Sequence, residues 1–278
     1  MLLKHVYQRS ISEILNKLLT QIDMNDAEYE TEVRAQITEK QKMAVSKLID
    51  TLGPDYTEEH NLNSRTIIMD MFESKEYYNI ICSKENLKKI VEFSTKAIPE
   101  STKASKMCSL IVLNQIVVSN IEKQKKKDKT DTDKAENQDE DDDVVQQNSD
   151  DENGEDLEST NPNSHTAQTN ALVEMLKGKV AEITAVLQAD HDLPKIGTSV
   201  CEETYVPLGQ QRLYTVELVL RMVQMKKIVL YIAMGETGMF KNIMALVHKY
   251  QWNNFLQLKV IELCDEVLDN CDSDAFKK

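Results

Sequence analysis

The sequence predicts an all-α protein, an α-solenoid of HEAT/armadillo-like helix pairs interrupted by a disordered acidic insertion. Three observations carry this. Apolar residues recur at three- and four-residue steps along most of the chain, the spacing that lines one helix face. Only seven glycines and five prolines occur in 278 residues, too few to turn many short strands. No segment alternates with period two for long enough to make a strand, and the helix pairs recur about every 40 residues. No clean repeat consensus accompanies them, so a helical bundle is the alternative architecture.

The first helix carries Leu2, Leu3, Val6, Tyr7, Ile11, Ile14, Leu15, Leu18, Leu19 and Ile22 on one broad face, up to Asn25-Asp26. A second runs from about Glu32 to Leu52, where Gly53-Pro54 removes a donor and stops it. A third follows Thr57 with Leu62, Ile67, Ile68, Met71 and Phe72, then a short apolar piece, Tyr77 to Ile81. Ser83 is placed to cap a helix that ends at Pro99, and Ser101 or Thr102 to start one that runs through Met107, Leu110, Ile116 and Ile121. Periodicity returns at Leu172 and continues to Leu187. Helices are then expected after Pro207-Leu208-Gly209, over Ile228 to Met234, after Gly238, and after an Asn253 or Asn254 cap. The last should bury Phe255, Val260, Ile261, Cys264, Val267 and Leu268.

Composition divides the chain into an N-terminal helical region (1–122), an acidic linker (123–169) and a C-terminal helical region (170–272). The linker has almost no large apolar side chain, so it cannot offset its ordering entropy. Residues 128–160 hold 15 acidic side chains and two lysines, while the rest has 32 acids and 31 bases. The net charge of −14 is therefore concentrated in one stretch. The nearly neutral remainder lacks the clustered positive charge of a nucleic-acid surface. Lys123, Lys125, Lys126 and Lys127 read as a solvated helix end, with an import signal as the lesser reading. Thr130 and Ser149 are followed by carboxylates, as acidophilic kinases prefer, and are candidate phosphorylation sites.

Five widely spaced cysteines without a Cys-x-x-Cys pair argue against a disulfide framework or a zinc site. The start lacks a signal-peptide apolar core, and no run approaches the roughly 18 apolar residues of a membrane helix. A cytoplasmic protein is expected, with the nucleus as a second location.

Catalytic constellations are missing from the sequence. There is no phosphate-binding glycine loop, no His-Glu-x-x-His and no Gly-x-Ser-x-Gly. The five histidines are scattered, and the acidic run 139–143 lacks the glycine and spaced oxygens of an EF-hand. No enzyme, cofactor or metal is expected.

The single tryptophan lies in LVHKYQWNNFLQLKVIELCDEVL, residues 246–268. Tyr250, Trp252 and Phe255 place three rings within six residues of a chain that is 5 % aromatic. A ring between two helical apolar runs is expected to wedge into a core. Trp252 and Phe255 should then fill the seam between the last two helices, with an asparagine, Asn253 or Asn254, accepting a helix N-terminal N–H.

Three blocks carry a family resemblance: KYQWNNFLQLKVIELCDEVL (249–268), PLGQQRLYTVELVLRMVQ (207–224) and GMFKNIMALVHKY (238–250). They resemble the SAPS domain of regulatory subunits of protein phosphatase 6 and its yeast counterpart. The Lys-Tyr-x-Trp-Asn-Asn-Phe-Leu run is the most specific piece. Weaker similarity in helix pattern extends back to about Asn61, and none is discerned in residues 1–60. The chain reads as a short or divergent member, matched mainly in its C-terminal region.

The resemblance implies a non-catalytic subunit that binds a phosphatase-2A-like serine/threonine phosphatase, steers its substrate choice and engages further scaffold proteins. It implies no nucleic acid or membrane partner. The Gly-Asp-x-His, Gly-Asp-x-x-Asp-Arg and Gly-Asn-His-Glu blocks of such phosphatases are absent, so the chain is not the catalytic subunit. Within the second block, Arg212 is expected either to pair with a carboxylate on a neighbouring helix or to meet an acidic patch on the phosphatase. A rival reading from another class is a helical adaptor whose residues 128–158 bind basic partners.

Overall fold

The computed structural model describes residues 2–20, 31–96, 103–136, 165–189, 195–197 and 204–271, and the description below concerns these. After a short 3-10 turn, Leu2–His5, come α1 (Arg9–Thr20), α2 (Thr31–Asp50), α3 (Glu58–Met71), α4 (Lys75–Ile81), α5 (Lys84–Thr95) and α6 (Lys103–Glu136). Beyond the acidic stretch lie α7 (His165–Lys177), α8 (Val180–Gln188), α9 (Gln210–Gln224), α10 (Ile228–Glu236), α11 (Met239–Lys249) and α12 (Asn254–Cys271). The expected all-helical class holds. One small departure is an antiparallel pair, β1 (Ile196–Gly197) and β2 (Thr204–Tyr205), with Ile196 opposite Tyr205 and Gly197 opposite Thr204.

The helices contact one another in two rows. One runs α1, α3, α6, α9, α12, each packed on the next. The other runs from α2 through α4 and α5 to α7 and α8, then α10 and α11. Cross-contacts join the rows at α2–α3, α5–α6, α8–α9 and α11–α12. Helices from before and after the acidic stretch therefore pack directly on each other, α6 against α9 and α5 against α7.

Helix α6 packs against α3, α5 and α9 at once. Leu110, Val112, Leu113, Ile116 and Val117 are buried on successive sides of it. Lys103–Lys126 is long and apolar enough to cross a membrane by length and composition, contrary to the sequence expectation, but 61 % of that window is buried within the fold. Its apolar character is that of a core helix. A helix apolar all round needs neighbours all round.

Polar residues on α6 fix which neighbour sits where. Ser105 Oγ donates to the Leu52 carbonyl at the end of α2 (2.5 Å). Asn114 Nδ2 donates to the Tyr214 carbonyl of α9 (3.1 Å). Asn120 Nδ2 donates to the Tyr78 hydroxyl of α4 (2.7 Å), and its Oδ1 accepts from Thr169 Oγ1 of α7 (2.8 Å). Lys123 Nζ stands 3.0 Å from the Tyr78 ring centroid, a cation–π contact on the same knot. Burial raises the Tyr78 hydroxyl well above its ordinary value, pushes the Cys82 thiol up to about 11 and lowers the Lys123 ammonium.

The corner after α2 is built as the Gly53-Pro54 stop predicts. The Gly53 N–H donates to the Asp50 carbonyl (2.9 Å), and Asn61 Nδ2 donates to the Thr51 and Gly53 carbonyls (2.8 and 3.2 Å). A Cβ at Gly53 would lie 3.0 Å from the Asp50 oxygen and 3.1 Å from the Phe93 ring, so a larger residue would have to push these neighbours back by a few tenths of an ångström. Ser83 does precede α5, but its side chain makes no capping bond.

Two expectations need correction. Composition predicts a linker without structure over 123–169. The described ends of that stretch are helical instead, since α6 continues through Lys123 to Glu136 and α7 begins at His165. Charged residues extend α6 because a helix already nucleated by a packed core adds further turns at little cost. Residues 137–164, with Ser149, lie outside the described residues, and Thr130 is placed only as backbone in α6. The broad face of the first helix is also only half covered. Val6, Leu15 and Leu19 are buried, whereas Ile14 and Leu18 are exposed, because α1 ends its row with α3 on one side.

Asn120→Ala removes a donor and an acceptor from buried partners on two other helices. It should lower the unfolding free energy by about 2–3 kcal/mol in urea titration.

Candidate functional site

The region that carries the resemblance is divided by the structure into an inner and an outer set. Its inner set begins at Gly209, whose positive φ of 85° turns the chain into α9. That turn puts Arg212 in the first turn of α9, at 2 % exposure. Its guanidinium donates from one terminal nitrogen to the Tyr250 hydroxyl and from the other to the Ala189 carbonyl. Ala189 is the residue that closes α8, and Tyr250 the one that closes α11. Three helix ends are thus drawn to one cation. The C-terminal end of α8 is the negative end of its dipole, a favourable place for a buried positive charge.

A carboxylate on a neighbouring helix, one of the two partners expected for Arg212, is not what it meets. Among the described residues it meets a carbonyl and a phenol, and no carboxylate. The Tyr250 ring also lies 5.6 Å from the Arg212 guanidinium carbon and 5.7 Å from Lys249 Nζ. Arg212 Nε is buried without a partner among the described residues, so the knot is tight but incompletely satisfied. Buried in this way, Arg212 faces its own helix ends and not the surroundings.

Asn253 completes the inner set. Its Oδ1 accepts from the Leu256 N–H (2.9 Å), the helix N-terminal bond expected of an asparagine here. Asn254 is the first residue of α12 and is exposed. The cap fixes where α12 starts, and so fixes its rotation. Leu256, Val260 and Leu263 then point into the core, with Asn270 buried on the same side. Helix α12 lies along α9 with a polar margin. Lys259 reaches Glu217 (4.0 Å) and Glu262 (3.2 Å), and Gln224 Nε2 donates to Glu266 (3.1 Å).

The outer set is the second correction. Trp252 is 87 % exposed and Phe255 is 73 % exposed. They do not fill the seam between the last two helices. Ile261 and Leu268, also expected inside, are exposed, as is Cys264, and Val267 is half-buried. The reason lies in the sequence of α12, which is apolar on more than one face. Periodicity alone does not choose the buried face, and the residues it missed, Leu256 and Leu263, take it. The seam itself is occupied by Tyr250, held there by Arg212. Trp252, Phe255, Leu258, Ile261 and Leu268 are left exposed, the last three on the outward side of α12 beside Asp265.

Among the described residues, no three of His, Cys, Asp and Glu gather into a group that could hold a metal ion. The features that stand out among the described residues are the buried Arg212 contacts and the exposed apolar residues of α12.

The family comparison places the chain further. The model for SAPS, SIT4 phosphatase-associated protein, matches residues 1–231. The chain belongs to this phosphatase-associated family, a regulatory class and not a catalytic one. The extent corrects the sequence reading. The match includes residues 1–60, where no resemblance is discerned by eye, and ends at 231, before the 238–250 and 249–268 blocks. No curated protein and no solved structure matches the chain.

Two substitutions separate the inner set from the outer. Trp252→Ala should melt within about 0.5 kcal/mol of wild type, as exposed sites do. Arg212→Ala orphans a buried phenol and a helix-terminal carbonyl and should cost about 2–4 kcal/mol. Thermal and urea unfolding of both variants check the pair.

Proposed function

We propose that the chain is a non-catalytic regulatory or scaffold subunit. It binds the catalytic subunit of a phosphatase-2A-like serine/threonine phosphatase of the protein phosphatase 6 type and directs its substrate choice. The observation that carries this reading is the family match over residues 1–231, which spans most of the helical rows. The two rows of helices also favour the HEAT/armadillo-like solenoid, an architecture that offers one long surface to a globular partner. Further scaffold proteins would extend the complex along that surface. The protein acts in the cytoplasm, with the nucleus as a second location.

Residues 128–160 support a different reading, since 15 acidic side chains in one stretch suit capture of basic proteins. Affinity purification of the full chain and of a form lacking 137–164 separates the two. The phosphatase reading predicts co-purification of a phosphatase catalytic subunit with both forms, and dephosphorylating activity in the eluate that the chain alone lacks. Recovery only of basic proteins, and only with the full chain, would instead support the acidic-capture reading.

A further inference from the structure

We infer that the outward face of α12 is a docking site for a basic amphipathic helix of a partner protein. Helix α12 ends a row. Leu256, Val260 and Leu263 are used against the core, and α9 and α11 are its neighbours on that side. The opposite face carries Leu258 and Asp265 along its centre, with Ile261 and Leu268 on one flank and Glu262 and Asp269 on the other, following from helical spacing. All six are exposed. Phe255 is exposed on the Glu262 flank at the N-terminal end, and Trp252 is exposed just before the helix. Leu258, Ile261 and Leu268, at i, i+3 and i+10, form an apolar strip with Asp265 at i+7 beside it, a pattern that fits an amphipathic helix carrying both apolar and basic groups.

Charge selects the occupant. Helix α12 contains four carboxylates and one base, Lys259, which is already held between Glu217 and Glu262. The outward face of the helix therefore presents acids that its own lysine does not neutralise. A second copy of the chain would bring the same acids to the same place. The acidic stretch 128–160 is repelled for the same reason, and so is an anionic membrane surface. A helix with leucine-like anchors flanked by Lys or Arg satisfies both halves of the face. Nothing in this depends on the phosphatase reading, because the face lies beyond the family match at residue 231.

The probe is a synthetic basic amphipathic peptide of about 20 residues, with leucines on one helical face and lysines elsewhere. It is titrated into the full chain by fluorescence anisotropy. Two control peptides are titrated in parallel: the same leucine pattern with glutamates, and a scrambled basic peptide without an apolar face. Leu258→Ser with Ile261→Ser should weaken the amphipathic peptide by roughly tenfold or more, as should Asp265→Lys with Asp269→Lys. Both variants should keep the wild-type circular dichroism and melting curve, since all four positions are exposed. Both control peptides should bind at least roughly tenfold more weakly than the amphipathic one. The inference is overturned by failure of the peptide to bind saturably, or by binding indifferent to the α12 substitutions, which would place it on the acidic stretch. A dimer of the full chain that Leu258→Ser and Ile261→Ser dissolve also overturns it, by making a second copy the occupant. A variant that loses the peptide yet still co-purifies with a phosphatase supports it and shows the two interactions to be separate.

Discussion

The fold depends on one constraint: α6 carries large apolar side chains toward three neighbours at once and leaves only one partly buried stripe through Met107, Ile111 and Val118. Burying its Leu, Val and Ile side chains requires α3, α5 and α9 around it at once. A single buried Leu or Ile contributes about 1.5–3 kcal/mol, so no one neighbour suffices. Apolar contact alone does not say which helix goes where. That choice rests on the polar residues spaced along α6. Across to other helices, Ser105 bonds the Leu52 carbonyl after α2, Asn114 the Tyr214 carbonyl, and Asn120 the Tyr78 and Thr169 hydroxyls, while Asn114 and Asn120 also donate to carbonyls of α6 itself. Misplacing a partner would leave buried groups such as the Tyr78 and Thr169 hydroxyls without these bonds, at a cost comparable to the bonds lost. The keys lie on α2, α4, α7 and α9, and so tie together segments on both sides of the acidic stretch.

The same division of labour recurs at the C-terminal end. Arg212 gathers the ends of α8 and α11 onto the start of α9, and Asn253 sets the start of α12. These buried polar contacts fix the rotation of α12, and the rotation decides which of its apolar residues remain outside. An exposed face there is a consequence of satisfied polar groups within. It leaves Trp252 and Phe255 available for contact without any cost to the core.

Much of the helix inventory is legible in the sequence because periodicity, Gly53-Pro54, Gly209 and Gly238 are local signals. The all-helical class and the helix starts near 165–172, 210, 228, 239 and 254 follow from them. What fails in α12 is a question of facing. In α12 the pattern puts six residues inside, and only Val260 of them is fully buried, because Leu256 and Leu263 offer an equally good apolar stripe. A large ring is usually worth burying, which argues for Trp252 inside, yet Tyr250 occupies the available space with a hydroxyl that Arg212 requires. The partner of Arg212 escapes the sequence for a related reason: a helix-terminal carbonyl leaves no mark there, whereas a carboxylate does. The family match covers residues 1–231, so of the three blocks that carry the resemblance only 207–224 lies within it.

The proposed scaffold function requires both helical regions to form one rigid support around α6. Hydrogen–deuterium exchange of the isolated chain tests this most directly. The account predicts that amides of residues 105–120 and of α9 exchange slowest and at the same rate, through a shared global opening. Loss of protection in α9 while α6 remains closed, or the reverse, would show two independent units joined by the acidic stretch and would contradict it.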